Sequence, residues 1–301
     1  LCLLGERYRG NVMMVDIERE HPGADNNAQR RRRKEFYRRC GYTEAGVEYS
    51  WRGEQYEILI LGGEISTRDY FRFWHSVDEH SSIFDWGGIV MKAIAINGSP
   101  RKNWNTAALL NAALDGAREA GAETELVNLY DLDYSGCVSC FACKRKGAER
   151  CRCYHQDALS GVLERVLSSD VLLLGSPVYF GDVTGKMRCF IERLAFITLS
   201  YDDPMETIFP GHIDTAFFFT MNMQTEQAQM YKPMIKSTLG ALGRLGGSVE
   251  QYLCTDTLQF DDYSKYHAAK FSEQAKRAHR AEQFPRDLEA AREIGRRLAG
   301  K

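Results

Sequence analysis

The sequence predicts a three-layer α/β domain built on a five-stranded parallel sheet, with a small α+β segment ahead of it. Two observations carry this reading. From residue 91 onward, short apolar runs alternate with helical patterns, and the first run stops abruptly at Gly98-Ser99-Pro100 before a helix begins. The first 75 residues lack that regularity.

The apolar runs are KAIAIN (92–97), ETELVNLY (123–130), DVLLLGS (170–176), TAFFFTMN (215–222) and SVEQYLCT (248–255). Helical periodicity fills the intervals near 105–120, 157–169, 184–199 and 226–245, and returns at 264–299. Strands alternating with helices imply right-handed crossovers and a parallel sheet covered on both faces. Residues 76–90, SVDEHSSIFDWGGIV, have no clear period and read as a linker. Before it, NVMMVDIERE reads as a strand and NNAQRRRRKEFYRRCGY as a helix closed by Gly41. GVEYSWRGEQYEILILGG then gives two strands, and ISTRDYFRFWHSV a further helix.

A chain of 301 residues with 44% apolar content can bury a real core. Its net charge of −2 gives no argument for a nucleic-acid or membrane partner. No apolar stretch approaches the roughly 20 residues that span a bilayer, and the N-terminus lacks a signal-peptide pattern, so a cytoplasmic protein is expected. Five of the nine cysteines fall in CVSCFACKRKGAERCRC, residues 137–153. In a reducing compartment such clustering points to metal or redox work more than to disulfides. Cys189 and Cys254 lie in apolar runs and are expected in the core.

The Gly-Ser-Pro loop suits an anion. N–H groups at a helix start are unpaired within the helix, and the macrodipole favours negative charge there. Gly98 permits a tight turn, while Ser99, Arg101, Asn103, Asn105 and Thr106 supply hydrogen bonds and charge. The plainer reading is a polar turn capped by Asn105 or Thr106. A second loop, GSPVYFGDVTGKM (175–187), follows the third strand of the series. Ligands of open parallel sheets bind beyond the carboxyl ends of the strands, where strand order reverses. The two loops would then face each other across one crevice, with Tyr179 and Phe180 suited to a flat heterocycle.

INGSPRKNWNT followed by LLGSPVYFGDVTGKMRCFIERL resembles the flavodoxin-like NAD(P)H-dependent FMN reductases and iron–sulfur flavoproteins, a similarity that runs from residue 91 to the end and takes in TLQFDDYSKY (257–266). The resemblance implies a flavodoxin-like domain over 91–301 that binds FMN. Ser99, Arg101, Asn103, Asn105 and Thr106 would hold the phosphate. Ser176, Pro177, Val178, Tyr179, Phe180 and Gly181 would border the ribityl chain and ring, with Thr220 to Asn222 closing the other side. The flavin supplies the hydride chemistry, so no catalytic side chain is named.

The expected activity is reduction of a quinone, another flavin or a small electrophile by NADH or NADPH. The alternative is an electron carrier that exchanges electrons with a ferredoxin-like partner and binds no hydride donor. A homo-oligomer is expected. The resemblance also implies a 4Fe–4S cluster on Cys137, Cys140 and Cys143, with a fourth ligand downstream: Cys153 has the family context and Cys151 the more usual spacing. Zinc and a set of cluster-free thiols are the competing readings. Lys144, Arg145, Lys146, Arg150 and Arg152 are expected to lower the thiol pKa values.

The strand, arginine-rich helix and YEILILGG of residues 1–75 resemble the C-terminal half of GNAT-type N-acetyltransferases, with Tyr37 where that family carries a tyrosine that can protonate the departing thiolate. The family's pyrophosphate loop is not in the sequence. The segment is therefore expected to be a remnant without normal acetyl-CoA binding, and Met91 the start of a once separate flavoprotein.

Overall fold

A computed structural model of the chain describes residues 12–51, 54–65, 70, 90–201 and 207–300. The chain divides into two units, residues 1–89 and 90–301. The division lies at the end of the expected linker; that linker up to residue 89, and the expected helix at 65–77 apart from Ile65 and Tyr70, lie outside the described residues.

In the first unit, β1 (Met13–Glu18), α1 (Asn27–Arg39), β2 (Thr43–Trp51) and β3 (Glu54–Leu61) form an antiparallel sheet in the order β1-β3-β2. The helix ends at Gly41, whose φ of +91° suits glycine. Its cations meet glutamates from the strands: Arg30 reaches Glu54 at 2.7 Å and Lys34 reaches Glu57 at 2.6 Å. Tyr37 packs edge-on against both Phe36 and Tyr42, as a half-buried helix aromatic would.

The second unit places β4 (Lys92–Asn97), β5 (Glu123–Asn128), β6 (Val171–Pro177), β7 (Ile213–Thr220) and β8 (Gly246–Cys254) in one parallel sheet of order β5-β4-β6-β7-β8. In order of appearance these strands run 2-1-3-4-5, which is the flavodoxin-like arrangement. The helices are α2 (Asn105–Glu119), α3 (Ser160–Leu167), α4 (Gly185–Thr198), α5 (Lys232–Leu242) and α6 (Glu273–Ala299).

Alternation along the strands divides the core. Ile94, Ile96, Leu172, Leu174, Phe217 and Phe219 face α3, α4 and α5. Ala93, Ala95, Leu173, Ala216 and Phe218 face α2 and α6. Because both faces are covered, the central strands β4, β6 and β7 read as nearly continuous apolar runs, whereas the edge strands β5 and β8 carry polar residues. Among the described residues no helix is long and apolar enough to cross a membrane.

Three expected helices are shorter than their patterns. The last, expected at 264–299, starts at Glu273, where Ser272 Oγ accepts from the Ala275 N–H at 3.2 Å. The helix expected at 226–245 is a short turn at Thr225–Ala228 and then α5, which restarts with Pro233 in its first turn, where proline's missing N–H costs nothing. The helix expected from 157 starts at Ser160, because Asp157 ties its carboxylate to the N–H of Leu159 at 2.9 Å and forms a turn instead.

Candidate functional site

The loop after β4 is organised by its own polar groups. Asn97 accepts from the Ser99 N–H at 3.0 Å, and Ser99 Oγ accepts from the Arg101 N–H at 3.1 Å. Neither Asn105 nor Thr106 caps α2, contrary to the plainer reading. Trp104 holds the cap position in an extended conformation with no side-chain cap bond, and both residues lie inside the first turn. The opening N–H groups of α2 therefore remain available to an acceptor from outside the helix.

Four of the five side chains assigned to the phosphate are engaged by protein, Ser99 through its own turn. Arg101 Nη1 donates to Gln259 O at 2.5 Å, Asn105 Nδ2 donates to Leu258 O at 2.9 Å, and the Thr106 and Thr220 hydroxyls meet at 2.8 Å. Ser99 is buried and shapes the turn, while Asn103 is exposed. Arg280 of α6, which the motif reading missed, donates to Asn105 Oδ1 at 2.5 Å. Arg101 and Arg280 both stack on Trp104, with centroid distances of 5.7 and 5.8 Å. Among the described residues neither guanidinium is ion-paired to a carboxylate. What the loop offers an anion is thus uncapped backbone N–H groups and two cations without acidic partners.

The second loop is joined to the first. Gly98 N donates to Gly175 O at 2.8 Å, and the Thr184 hydroxyl donates to Gly98 O at 2.7 Å. Thr184 also caps α4, and its N–H donates to Ser176 Oγ at 3.0 Å. A Cβ on Gly98 would stand 2.9 Å from Met187 Cβ, so the close approach of the two loops requires glycine there. Tyr179 and Asp182 exchange two backbone bonds of 2.7 and 3.0 Å around Phe180 and Gly181, at φ of +51° and +84°. This is the tight turn in which both central residues take positive φ.

That turn separates the two aromatics. Tyr179 is half-exposed; burial raises its phenol pKa while nearby Arg101 pulls the other way. Phe180 is fully exposed, at the tip of the turn. Pro177, Val178 and Gly181 are partly buried.

Beyond the ends of β6, β7 and β8 lies a cavity of about 590 Å³, lined in part by Val178, Met221, Asn222, Tyr231, Gln259 and Lys276. Asn222 Nδ2 donates to Gln259 Oε1 at 2.9 Å, and its Oδ1 is buried with no partner among the described residues. Lys276 is buried, paired with Asp256 and bonded to Asn222 O at 2.8 Å. Gln259 connects this cavity to the first loop through Arg101. A mononucleotide fits these residues: the uncapped helix and two guanidiniums with no carboxylate partner among the described residues suit its phosphate, and the cavity with the orphaned Asn222 Oδ1 suits a ring bearing N–H donors.

The cysteine loop follows β5. Cys137, Cys140, Cys143 and Cys153 all line one cavity of about 20 Å³, together with Phe141 and Arg193. Left-handed φ at Ser139 and Phe141 curls the chain between the first three cysteines. Cys151 is directed elsewhere: its Sγ meets Ile208 O at 3.6 Å and lines a different cavity with Leu163 and Phe209.

The expected lowering of thiol pKa values is overturned at two positions. Burial raises both Cys143 and Cys151, and the counteracting pull of Lys144 is smaller. Lys144 is itself turned inward, donating to Leu199 O at 2.6 Å. Cys254 is a core residue as expected, whereas Cys189 is only partly buried.

Among the described residues no three metal-binding side chains are close enough to hold a single ion. A polynuclear cluster, in which each thiolate binds its own iron, does not need that convergence. The four thiols around one cavity fit such a donor set, although the closed cavity has room for about one water and would have to open.

Residues 91–207 match the family model described as NADPH-dependent FMN reductase. An iron–sulfur flavoprotein of Methanocaldococcus jannaschii is 38% identical over 103 residues, which are 34% of this chain and 51% of the relative. One of Methanosarcina thermophila is 30% identical over 103 residues, 34% of this chain and 52% of its own. The chain thus spans about half the length of the curated relatives it matches. An NAD(P)H:quinone oxidoreductase from Methanothermobacter marburgensis superposes with a TM-score of 0.51 at 16% identity, covering 69% of this chain and 97% of that one. An azoreductase from Bacillus anthracis gives 0.50 at 16% identity, covering 69% and 100%. The family match covers none of the first unit and lends nothing to its acetyltransferase resemblance. Residues 91–207 therefore match the NADPH-dependent FMN reductases, and they do so within a flavodoxin-like sheet.

Proposed function

We propose that the second unit binds FMN and acts as an oxidoreductase, taking hydride from NADH or NADPH and reducing a quinone, another flavin or a small electrophile. The observation that carries this reading is the pair of loops joined by Thr184 and Gly98 beside the uncapped start of α2. The family match over 91–207 supports it. In this reading the first-turn N–H groups of α2, with Arg101 and Arg280, hold the phosphate. The ring lies toward Val178 and Asn222, with Asn222 Oδ1 accepting from it. Bound FMN supplies the hydride and electron chemistry, and the protein supplies position and electrostatics.

A second reading, an electron carrier with an iron–sulfur cluster and a protein partner, is favoured by the four-cysteine cavity. One anaerobic titration separates the two. The reductase reading expects NADH or NADPH to bleach the bound flavin. Bleaching by reduced ferredoxin but by neither nucleotide would replace it with the carrier, and protein that fails to retain FMN would end both.

A further inference from the structure

Arg193 of α4 is 1% exposed and is among the largest fully buried side chains described. A buried guanidinium carries a large desolvation cost unless its surroundings compensate for it. Most of its hydrogen-bonding capacity is spent on the cysteine loop. Nη1 meets Asp157 Oδ2 at 2.5 Å and Ser135 O at 3.5 Å, and Nη2 donates to His155 O at 2.6 Å and to Cys153 Sγ at 3.3 Å. Its Nε is buried with no partner among the described residues. The same side chain lines the cavity shared by Cys137, Cys140, Cys143 and Cys153.

We propose that Arg193 is a positioning residue for an iron–sulfur cluster in this cavity. It fixes Cys153, rather than the more conventionally spaced Cys151, as the fourth thiolate, and its buried charge raises the reduction potential of the centre. The inference rests on the reading of the cysteine cavity as a cluster site.

The physical reasoning has two parts. Cys153 is fastened from α4, a rigid element, through a planar fork that also grips His155 O and Asp157, so the 153–157 segment is presented as a unit. Cys151, two residues earlier, takes a left-handed φ of +57° and its Sγ meets Ile208 O in the neighbouring cavity, which Cys153 also borders. The Cys151 side chain is not among those that line the four-cysteine cavity. The charge argument is general. A thiolate-bound cluster becomes more negative on reduction, and hydrogen bonds and positive charge at its sulfurs favour the reduced state. Asp157 offsets part of the charge, but the Arg193 N–H groups nearest Cys153 point at the sulfur and at a carbonyl, not at the carboxylate.

The test uses the full chain, purified and reconstituted anaerobically with iron and sulfide, as wild type, Cys151→Ser, Cys153→Ser, Arg193→Gln and Arg193→Lys. Iron, acid-labile sulfide and FMN are counted on each sample, and the midpoint potential of the cluster is followed by its visible and paramagnetic signals. Wild type and Cys151→Ser are expected to hold the same iron and sulfide, and Cys153→Ser to lose most of both while retaining FMN. Arg193→Gln, which keeps polar contacts without charge, is expected to make cluster reduction about tenfold less favourable, a shift of about −59 mV for a one-electron couple.

Should Arg193→Gln fail to fold, Arg193→Lys decides: it keeps the charge but loses the fork, so the potential should fall measurably though by less than tenfold, and an unchanged or raised potential would overturn the electrostatic role. Iron lost from Cys151→Ser but kept in Cys153→Ser would overturn the ligand assignment. An unchanged potential in both arginine variants would overturn the electrostatic role. Wild type that binds FMN but takes up no iron or sulfide would overturn the inference together with the cluster, and would leave the flavin reading standing.

Discussion

Asp157 holds the segment that carries Cys153, and its titration makes that hold sensitive to acid. Burial alone would raise its carboxyl pKa. Arg193 and the N–H groups of Leu159 and Ser135 together outweigh burial and leave the group below its ordinary value. A carboxylate whose pKa is lower folded than unfolded stabilises the fold fully above the unfolded value, about 3.9, and the contribution disappears as pH falls through the folded one. Asp157→Asn is therefore expected to cost about 1.5–3 kcal/mol at neutral pH. The gap in melting temperature between variant and wild type should narrow as pH drops below about 4. A gap that stays constant from pH 7 to 3 would show that the pair contributes nothing through its charge. At the same scale, Arg280→Met is expected to weaken FMN binding about tenfold, the loss of one charge-assisted contact, while leaving riboflavin affinity unchanged. Equal losses for the two ligands, read by flavin fluorescence, would place Arg280 away from the phosphate.

At the scale of elements, the strands of the second unit were the most legible part of the chain. KAIAIN predicted β4 to the residue, because a strand buried on both faces is apolar along its interior, Ala93 to Ile96, and is stopped by the glycine turn that follows. The helices were less so where side chains competed with the backbone, as Asp157 does before α3, or where proline restarted the helix at α5. The two loops were legible as facing segments. The detail of the first was not, since Leu258, Gln259 and Arg280, which occupy Asn105 and Arg101, lie more than 150 residues away in sequence. The choice between Cys151 and Cys153 was likewise hidden, because it depends on a buried arginine from α4. Thr184 shows how tightly the elements depend on each other, since one hydroxyl both caps α4 and holds the Gly98 carbonyl. Thr184→Ala is expected to cost about 0.5–2 kcal/mol through the cap. It should also weaken FMN binding, because the first loop loses its tie to the second. Reduced thermal stability with unchanged FMN affinity would confine Thr184 to the cap.

At the scale of the whole molecule, the two units are separate in construction. Each has its own sheet and its own buried clusters: Ile17, Val47, Ile58 and Leu59 in the first, and residues from Ala93 to Ala299 in the second. The sheet of the second unit lies within its own residues, and so does every side chain assigned to the mononucleotide, from Ser99 to Arg280. A core of that extent, with both faces of the sheet covered, meets the usual condition for independent folding. Residues 90–301 produced alone are accordingly expected to melt cooperatively and to bind FMN with the affinity of the full chain, within about twofold, which is under 0.5 kcal/mol. The measurement is a pair of fluorescence titrations alongside a thermal melt. A loss of tenfold or more in affinity from a cooperatively folded fragment would show that the first unit contributes to the flavin site, and the division of labour argued from the two cores would fail. Equal affinity would assign flavin binding to the second unit, and the function of the antiparallel sheet and its arginine-rich helix would have to be sought apart from it.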